Sequence, residues 1–513
     1  MNTDIAIIGI GAAGLAAAIT AHDAGASVVV LEKSPESSAG GNTRVSGQVW
    51  FSPEDIELAQ VHLQALCGDY PVADALAATW AEETSRNTDW VAARAAEVRG
   101  TVEFDQVDPY DGDGTDLTRK SYGEMGANVN GEGSEYEFPE VVGNECGVEF
   151  NFIGPDQGHS RLWKTLKASL DRRQITVLYE TRAVALRRRG DEVVGVDCVG
   201  ADGTELTIEA AKATILASGG FAGNPAMTRE FLRLPEATPW GSPGNTGDGI
   251  KMAQQLGAGL SHPYNYMAIP GLRIPTLGVG DYGQPADGRF IAVGADGRRF
   301  ADELAESRHG KTPTRGGFDF SPGVPMWIVF DEEARQAGPL VAPRSAYAAG
   351  WAKQVEGYEW SADNSVEIER GWIKRADTLT ELAELLGIDP GGLQREVERY
   401  NDAARAGVDS DFGRPGATLK AIERGPFYGY AWGQVLITTL GGVSKDERAR
   451  ALDLDGRPIP RLYCAGDTAT TYSWCLSGGM GLGDAMAFGR VAAREAAALQ
   501  PLGEAAPVGG AVA

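Results

Sequence analysis

Cysteine is scarce in this sequence. The five present, Cys67, Cys146, Cys198, Cys464 and Cys475, are odd in number and include no C-x-x-C pair. A disulfide framework, an iron–sulfur cluster and a c-type haem site therefore all lack their signatures. No spacing of His, Cys and carboxylates reads as a metal site either. Basic residues are also few: 46 Lys and Arg stand against 71 Asp and Glu, a net charge of −25. That balance argues against nucleic acid or an anionic membrane as a partner; the scattered acids serve solubility. No apolar run approaches membrane-spanning length, so no membrane insertion is expected. The first strand opens at Asp4, which leaves no signal peptide ahead of it. The expectation is a cytoplasmic, soluble protein with reduced thiols. Its 513 residues suffice for two domains. Glycine, by contrast, is plentiful at 68 residues, which suits tight turns around a ligand.

The opening thirty-odd residues are the most informative. An apolar run, Asp4 to Ile8, leads into Gly9-Ile10-Gly11-Ala12-Ala13-Gly14, then an Ala-rich stretch, then Val28-Val29-Val30-Leu31-Glu32. This reads as buried strand, turn, helix and second strand. Gly9 permits the tight turn, Gly11 lets backbone approach a pyrophosphate, and Gly14 lets helix and strand pack closely. The helix N-terminus supplies N–H groups, from Ala12 and Ala13 onward, for phosphates. Glu32 follows at the distance expected of a ribose-binding acid. A dinucleotide site is the reading.

Lys33 to Gly47 is a polar, Gly-rich loop placed to fold over the cofactor, with Gly41, Asn42 and Thr43 at its centre. Residues 53–98 carry helical spacing. Asp105 to Glu149 is a long acidic segment, expected as a loop or excursion over a site. Short strands follow at 175–179, 181–186, 192–196 and 205–208, and Lys212 to Gly220 reads as a separate buried strand ending in small residues. Residues 260–424 differ in texture, with more Trp, Pro and Tyr, and are expected as an inserted domain between two parts of the cofactor domain, 1–259 and 425–513. Within it, Leu379 to Tyr400 reads as a helical pair broken at Asp389-Pro390-Gly391-Gly392.

These residues in combination resemble the fumarate reductase / 3-ketosteroid dehydrogenase superfamily of FAD flavoproteins. The resemblance rests on the N-terminal fingerprint with Glu32, Gly40-Gly41-Asn42-Thr43, Ala217-Ser218-Gly219-Gly220-Phe221, Thr246-Gly247-Asp248-Gly249, Leu440-Gly441-Gly442-Val443, Leu462 to Asp467, and Gly478-Gly479-x-Gly481-Leu482-Gly483. The Gly-Gly-Asn-Thr-Arg run looks like tricarballylate dehydrogenases, and the ending through Arg490 like ketosteroid dehydrogenases. The resemblance implies an α/β fold: a Rossmann-like FAD domain of glutathione reductase type with an inserted α+β substrate domain. It implies FAD, with Glu32 on the adenosine ribose and Asp467 on the ribityl chain. Lys33, Ser34, Gly47, Val184, Ala217, Ser218, Gly219, Thr246, Asp248, Gly466, Gly481 and Leu482 complete the implied cofactor set. No His occupies the Gly41-Asn42-Thr43 loop that carries the family's covalent attachment, so the FAD is expected to be non-covalent.

The departures bear on the substrate. Thr438 stands where fumarate reductases place a substrate-binding His, and Leu476 where they place an Arg. Arg308 is the nearest counterpart of their catalytic Arg, displaced by one residue, and Ser261-His262-Pro263 resembles their His-Pro element. Gly479 aligns with the N–H donor of ketosteroid dehydrogenases. Their partner Tyr is replaced by Cys475, so Tyr472 is the substitute expected, and Arg308, His262, Tyr472 and Gly479 form the expected catalytic set. The leading expectation is a dehydrogenase that desaturates a C–C bond beside a ketone in a cyclic substrate, by hydride transfer to flavin N5, with an external electron acceptor. Two alternatives stay open: a reductase or dehydrogenase of an α,β-unsaturated carboxylate, and a non-catalytic flavin protein serving electron relay.

Overall fold

The computed structural model describes residues 1–502 apart from 106–107, 109, 121–136, 148–149, 305–308, 315–316 and 321–325, and gives only the backbone of 312–314 and 317–319. Arg308 lies outside the described residues.

The strand Asn2–Ile8 pairs in parallel with Val28–Leu31 on one side and Glu205–Leu216 on the other. Thr176–Leu178 and Pro458–Cys464 extend this parallel sheet outward, so the C-terminal stretch returns to the N-terminal layer. Buried on both faces, these strands are continuous apolar runs. The helix Ala12–Asp23 lies against the closing helix Met480–Ala497, and both are rich in alanine and glycine. A Cβ at Gly489 would stand 2.4 Å from the Ala13 carbonyl oxygen, so the two backbones approach closely because no side chain intervenes.

Residues 205–216 form one strand, not the two expected. Glu209-Ala210-Ala211 contains no turn residue, and the outer half pairs antiparallel with Glu192–Gly200 while the inner half enters the parallel sheet. The expected helical region resolves into Ile56–Cys67, Asp74–Ser85 and Asn87–Glu97.

A second, largely antiparallel sheet runs in the order Val279–Tyr282, Tyr266–Ile274, Phe427–Thr439, Met326–Asp331, Ile291–Val293. Its central strand, Phe427–Thr439, and the short Thr238–Pro239 beside it fall outside 260–424. This sheet therefore begins earlier and ends later than the change in composition, because a central strand is as apolar as the neighbouring cofactor segment. The helical pair is present as Leu379–Leu386 and Pro390–Ala406, with Thr378 and Glu381 making a reciprocal capping box and Asp389 capping the second helix.

Candidate active site

A cavity of about 530 Å³ opens at the carboxyl ends of the parallel strands, where Ile8, Leu31, Ala217 and Gly466 line it. Ligands of open α/β sheets sit at this edge because the strand-to-helix turns present backbone N–H groups there. Gly9 holds φ of +105°, and a Cβ on it would stand 2.3 Å from the Ala217 oxygen. Gly14 is not on the cavity wall. A Cβ there would fall 1.9 Å from the Gly9 oxygen, which is the close helix–strand contact assigned to it. Gly11, Ala12 and Ala13 do line the cavity. The Ala12 N–H is already taken by Thr43 Oγ1 at 2.8 Å, which pins the following loop onto the helix start.

At one end, Glu32 accepts from the backbone N–H groups of Ile10 (3.3 Å) and Ser34 (2.8 Å), which fix its carboxylate at the wall. Lys33 and Asp248, also on the wall, pair at 2.7 Å. Burial pushes the Asp248 carboxyl upward, but Lys33 and Thr246 hold it below the usual range. Thr246 is off the wall and acts through this pair, accepting from Lys33 Nζ at 2.8 Å. Val184 is off the wall too: it is the unpaired residue of a β-bulge between Ala183 and Ala185, and Ala183 faces the cavity in its place.

Midway, Gly41, Asn42, Thr43, Gly47, Ser218, Gly219, Asp467, Gly481 and Leu482 all line the cavity. Asn42 ties four segments together. Its oxygen accepts from the Ser242 N–H and from Asn245 Nδ2, and its amide donates to the Ile437 carbonyl and to Asp467 Oδ2. Thr438 donates to the same Asp467 oxygen, which leaves Oδ1 with no protein donor among the described residues. Burial raises the Asp467 carboxyl to about 6 in spite of these two bonds.

The other end is aromatic and apolar. Trp240 and Tyr347 stack at 6.3 Å, and Met267, Ile269, Tyr282, Ile437 and Phe150 join them on the wall. The second sheet supplies most of this surface. His309, Ser477, Gly478 and Gly479 form its polar corner. Glu137, carried by the acidic segment, reaches this corner: its Oε1 lies 2.9 Å from His309 Nδ1 and its Oε2 accepts from the Gly478 N–H.

The expected catalytic residues divide. Gly479 is on the wall. Tyr472 is fully buried away from it, its hydroxyl accepting from Trp80 Nε1 at 3.0 Å and donating to the Met480 carbonyl at 2.7 Å. A hydroxyl satisfied on both sides inside a packed aromatic cluster is a structural one. His262 is also off the wall. The pairing of Leu260–Ser261 with Gly442–Val443 sets it beyond the sheet edge, where its ring meets Tyr264 edge-on and burial lowers its pKa. His309, Ser477, Glu137, Gln48, Ser242, Trp240 and Tyr347 were not anticipated. Two of them carried a sequence signal: His309, beside Arg308, and Glu137, inside the acidic segment expected to cover a site.

The cavity fits an extended dinucleotide. It runs from a carboxylate at one end, past a glycine-rich helix start, to a flat aromatic slot. A Cβ at Gly481 would meet no protein atom within 4 Å, and one at Gly41 nothing closer than 4.0 Å, so both glycines keep open the space a ligand needs. No group of three or more His, Cys, Asp or Glu side chains suited to a metal occurs among the described residues, and none of their helices is long and apolar enough to cross a membrane.

The chain is similar to known proteins. A family model described as FAD binding domain matches residues 4–482. The chain is 28% identical to the 3-oxosteroid 1-dehydrogenase of Mycolicibacterium smegmatis, across 96% of this chain and 97% of that protein. It is also 28% identical to the NADH:acrylate oxidoreductase of Vibrio harveyi, across 97% of this chain but only 50% of that protein. Among solved structures, 3-ketosteroid Δ1-dehydrogenase from Sterolibacterium denitrificans matches with a TM-score of 0.72 at 21% identity, covering 97% of this chain and 99% of that one. An open flavocytochrome c3 fumarate reductase matches with a TM-score of 0.65 at 22% identity, covering 97% and 78%. These two share the fold: a Rossmann-like cofactor layer with a second sheet against it.

Proposed function

The chain belongs to the FAD binding domain family and FAD is its cofactor; from that premise we propose an oxidoreductase that desaturates a C–C bond beside a ketone in a cyclic, largely apolar substrate. FAD supplies the hydride acceptor. The chain's own groups do the rest. Glu32 holds the adenosine ribose, Lys33 and Asp248 shape that end, and Asp467 offers its free oxygen to the ribityl hydroxyls. With no His in the Gly41-Asn42-Thr43 loop, the FAD is held non-covalently. The aromatic slot of Trp240 and Tyr347 excludes water and accepts a flat ring.

The observation that carries this reading is the substrate end of the cavity. Its wall is aromatic and aliphatic, and its only ionisable groups among the described residues are His309 and the two tyrosines. A dicarboxylate needs cations to replace its hydration, and the positions that supply them in fumarate reductases hold Thr438 and Leu476 here. An external acceptor reoxidises the cofactor. The five free cysteines are all buried, which supports a reducing, cytoplasmic setting.

An anaerobic screen tests this. The holoprotein is mixed with 4-androstene-3,17-dione and simpler cyclic ketones, or with tricarballylate, succinate and other saturated acids, and the yellow absorbance is followed. Bleaching by ketones alone is expected. Bleaching by acids alone would replace this reading with the carboxylate one, and bleaching by neither would favour electron relay.

A further inference from the structure

At the polar corner of the aromatic slot, every free hydrogen-bonding group points to one use. Gly479 N–H, at the left-handed residue (φ +78°) that starts the closing helix, has no acceptor among the described residues. Ser477 Oγ is buried, lines the cavity and has no partner among the described residues, a costly arrangement unless a ligand completes it. His309 Nδ1 faces two acceptors, the Glu137 carboxylate at 2.9 Å and the Leu476 carbonyl at 3.2 Å, so it carries the hydrogen. Its other nitrogen, Nε2, has no hydrogen-bond partner among the described residues, and His309 lines the cavity. Glu137 is itself anchored by the Gly478 N–H. The four residues Leu476 to Gly479 thus touch both the imidazole and its carboxylate, which brings His309, Ser477 and Gly479 to one small stretch of wall.

We propose, resting on the reading above, that His309 Nε2–H, Ser477 Oγ–H and Gly479 N–H together receive the carbonyl oxygen of the substrate, and that Glu137 is the positioning residue that aims the His309 ring. The carbonyl oxygen carries partial negative charge, and fixed donors that need no reorganisation hold it and polarise the C=O bond. No proton leaves His309 in this role. A protonated His309 and the Glu137 carboxylate form a net-neutral pair, and the described residues put no other cation on the cavity wall at this corner, so it suits a neutral carbonyl better than a carboxylate. Among the described residues Lys311 is the other charge facing His309, and it turns away: its Nζ donates to the Tyr266 carbonyl at 3.0 Å and sits among Tyr266, Phe320 and Trp474. Burial and Lys311 both work against a charged His309, yet Glu137 and Leu476 outweigh them and raise its pKa above the ordinary imidazole range.

Two measurements on the holoprotein decide the matter. The first is proton NMR titration of the imidazoles, tractable because the sequence holds five histidines. His309, identified by loss of its signal in His309→Gln, is expected to titrate highest, and Glu137→Gln is expected to bring it down to or below the ordinary range. The second is the single-turnover bleaching of the flavin by 4-androstene-3,17-dione as a function of pH. The rate should fall as pH rises through the His309 titration, since deprotonation removes the Nε2–H donor, and Glu137→Gln should move that fall to lower pH. His309→Gln and Ser477→Ala should each slow bleaching by roughly 10²- to 10³-fold while FAD remains bound. A His309→Gln rate within tenfold of wild type, a rate that rises through the titration, or a His309 titration unmoved in Glu137→Gln would overturn the assignment. If no ketone bleaches even the wild-type protein, the proposed function fails and this assignment with it; if ketones do and the variants keep their rates, only this assignment fails.

Discussion

Replacing Tyr472 by Phe separates a packing role from a catalytic one. The ring would stay where it is, edge-on to Trp80 with centroids 6.1 Å apart. Only the hydroxyl goes. Its loss leaves Trp80 Nε1, which it accepts from at 3.0 Å, buried without a partner. The Met480 carbonyl loses a donor at 2.7 Å but lies in the first turn of the closing helix, where the residue four positions on still bonds it. One orphaned buried donor costs about 1–3 kcal/mol, so a fall of about 2 kcal/mol in unfolding free energy is expected, read as a lower urea midpoint of the holoprotein. Turnover by the folded variant should stay within threefold of wild type, because the hydroxyl is off the cavity wall. A variant that unfolds at the wild-type urea concentration but bleaches its flavin a hundredfold more slowly would refute this argument and restore Tyr472 to the chemistry.

Other outcomes follow from the same geometry. Gly14→Ala should yield protein without yellow colour: alanine normally favours a helix by about 1 kcal/mol, but here its Cβ would sit 1.9 Å from the Gly9 oxygen and the turn must open. Asp467→Asn should weaken FAD retention, measured by dilution and filtration, yet stabilise the FAD-free protein above pH 6. The sign follows from the raised carboxyl: with a folded value of about 6, the stability tied to its protonated form is complete below the ordinary aspartate range and lost as pH rises through about 6. The amide escapes that loss, so equal midpoints for variant and wild type at pH 7.5 would contradict it. Trp240→Ala should raise the KM for ring ketones more than it changes FAD binding, since it removes one face of the stacked pair with Tyr347.

The cofactor layer was legible in the sequence because its signals are local. A strand, three glycines, an alanine-rich helix and Glu32 lie within one stretch of chain, and the glycines answer close approaches by Ala217 at Gly9, Thr43 at Gly11 and Gly9 at Gly14. The substrate end was not legible, for two reasons. Its groups come from distant segments: Glu137 from the acidic excursion, His309 from beside the second sheet, Ser477 from the closing loop. A glutamate in an acidic run looks like any solvated charge until the fold buries it. Tyr472 was misassigned because proximity in sequence to Gly479 does not fix direction; the chain turns between them, and the ring points into the cluster with Trp80 and Phe51. Val184 shows the same limit on a finer scale, since one bulge shifts which residue of a strand faces inward.

The Asn42 side chain has a consequence for how the active protein is assembled. One amide fastens its own glycine-rich loop, the Ser242–Asn245 turn, the central strand of the second sheet and Asp467. Ordering any one of these makes ordering the others less costly, and the relation runs both ways. Loading the prosthetic group and shaping the recess for the reactant are therefore a single linked equilibrium: stripped protein should admit ring ketones poorly, and a tightly held ketone should slow the escape of the flavin.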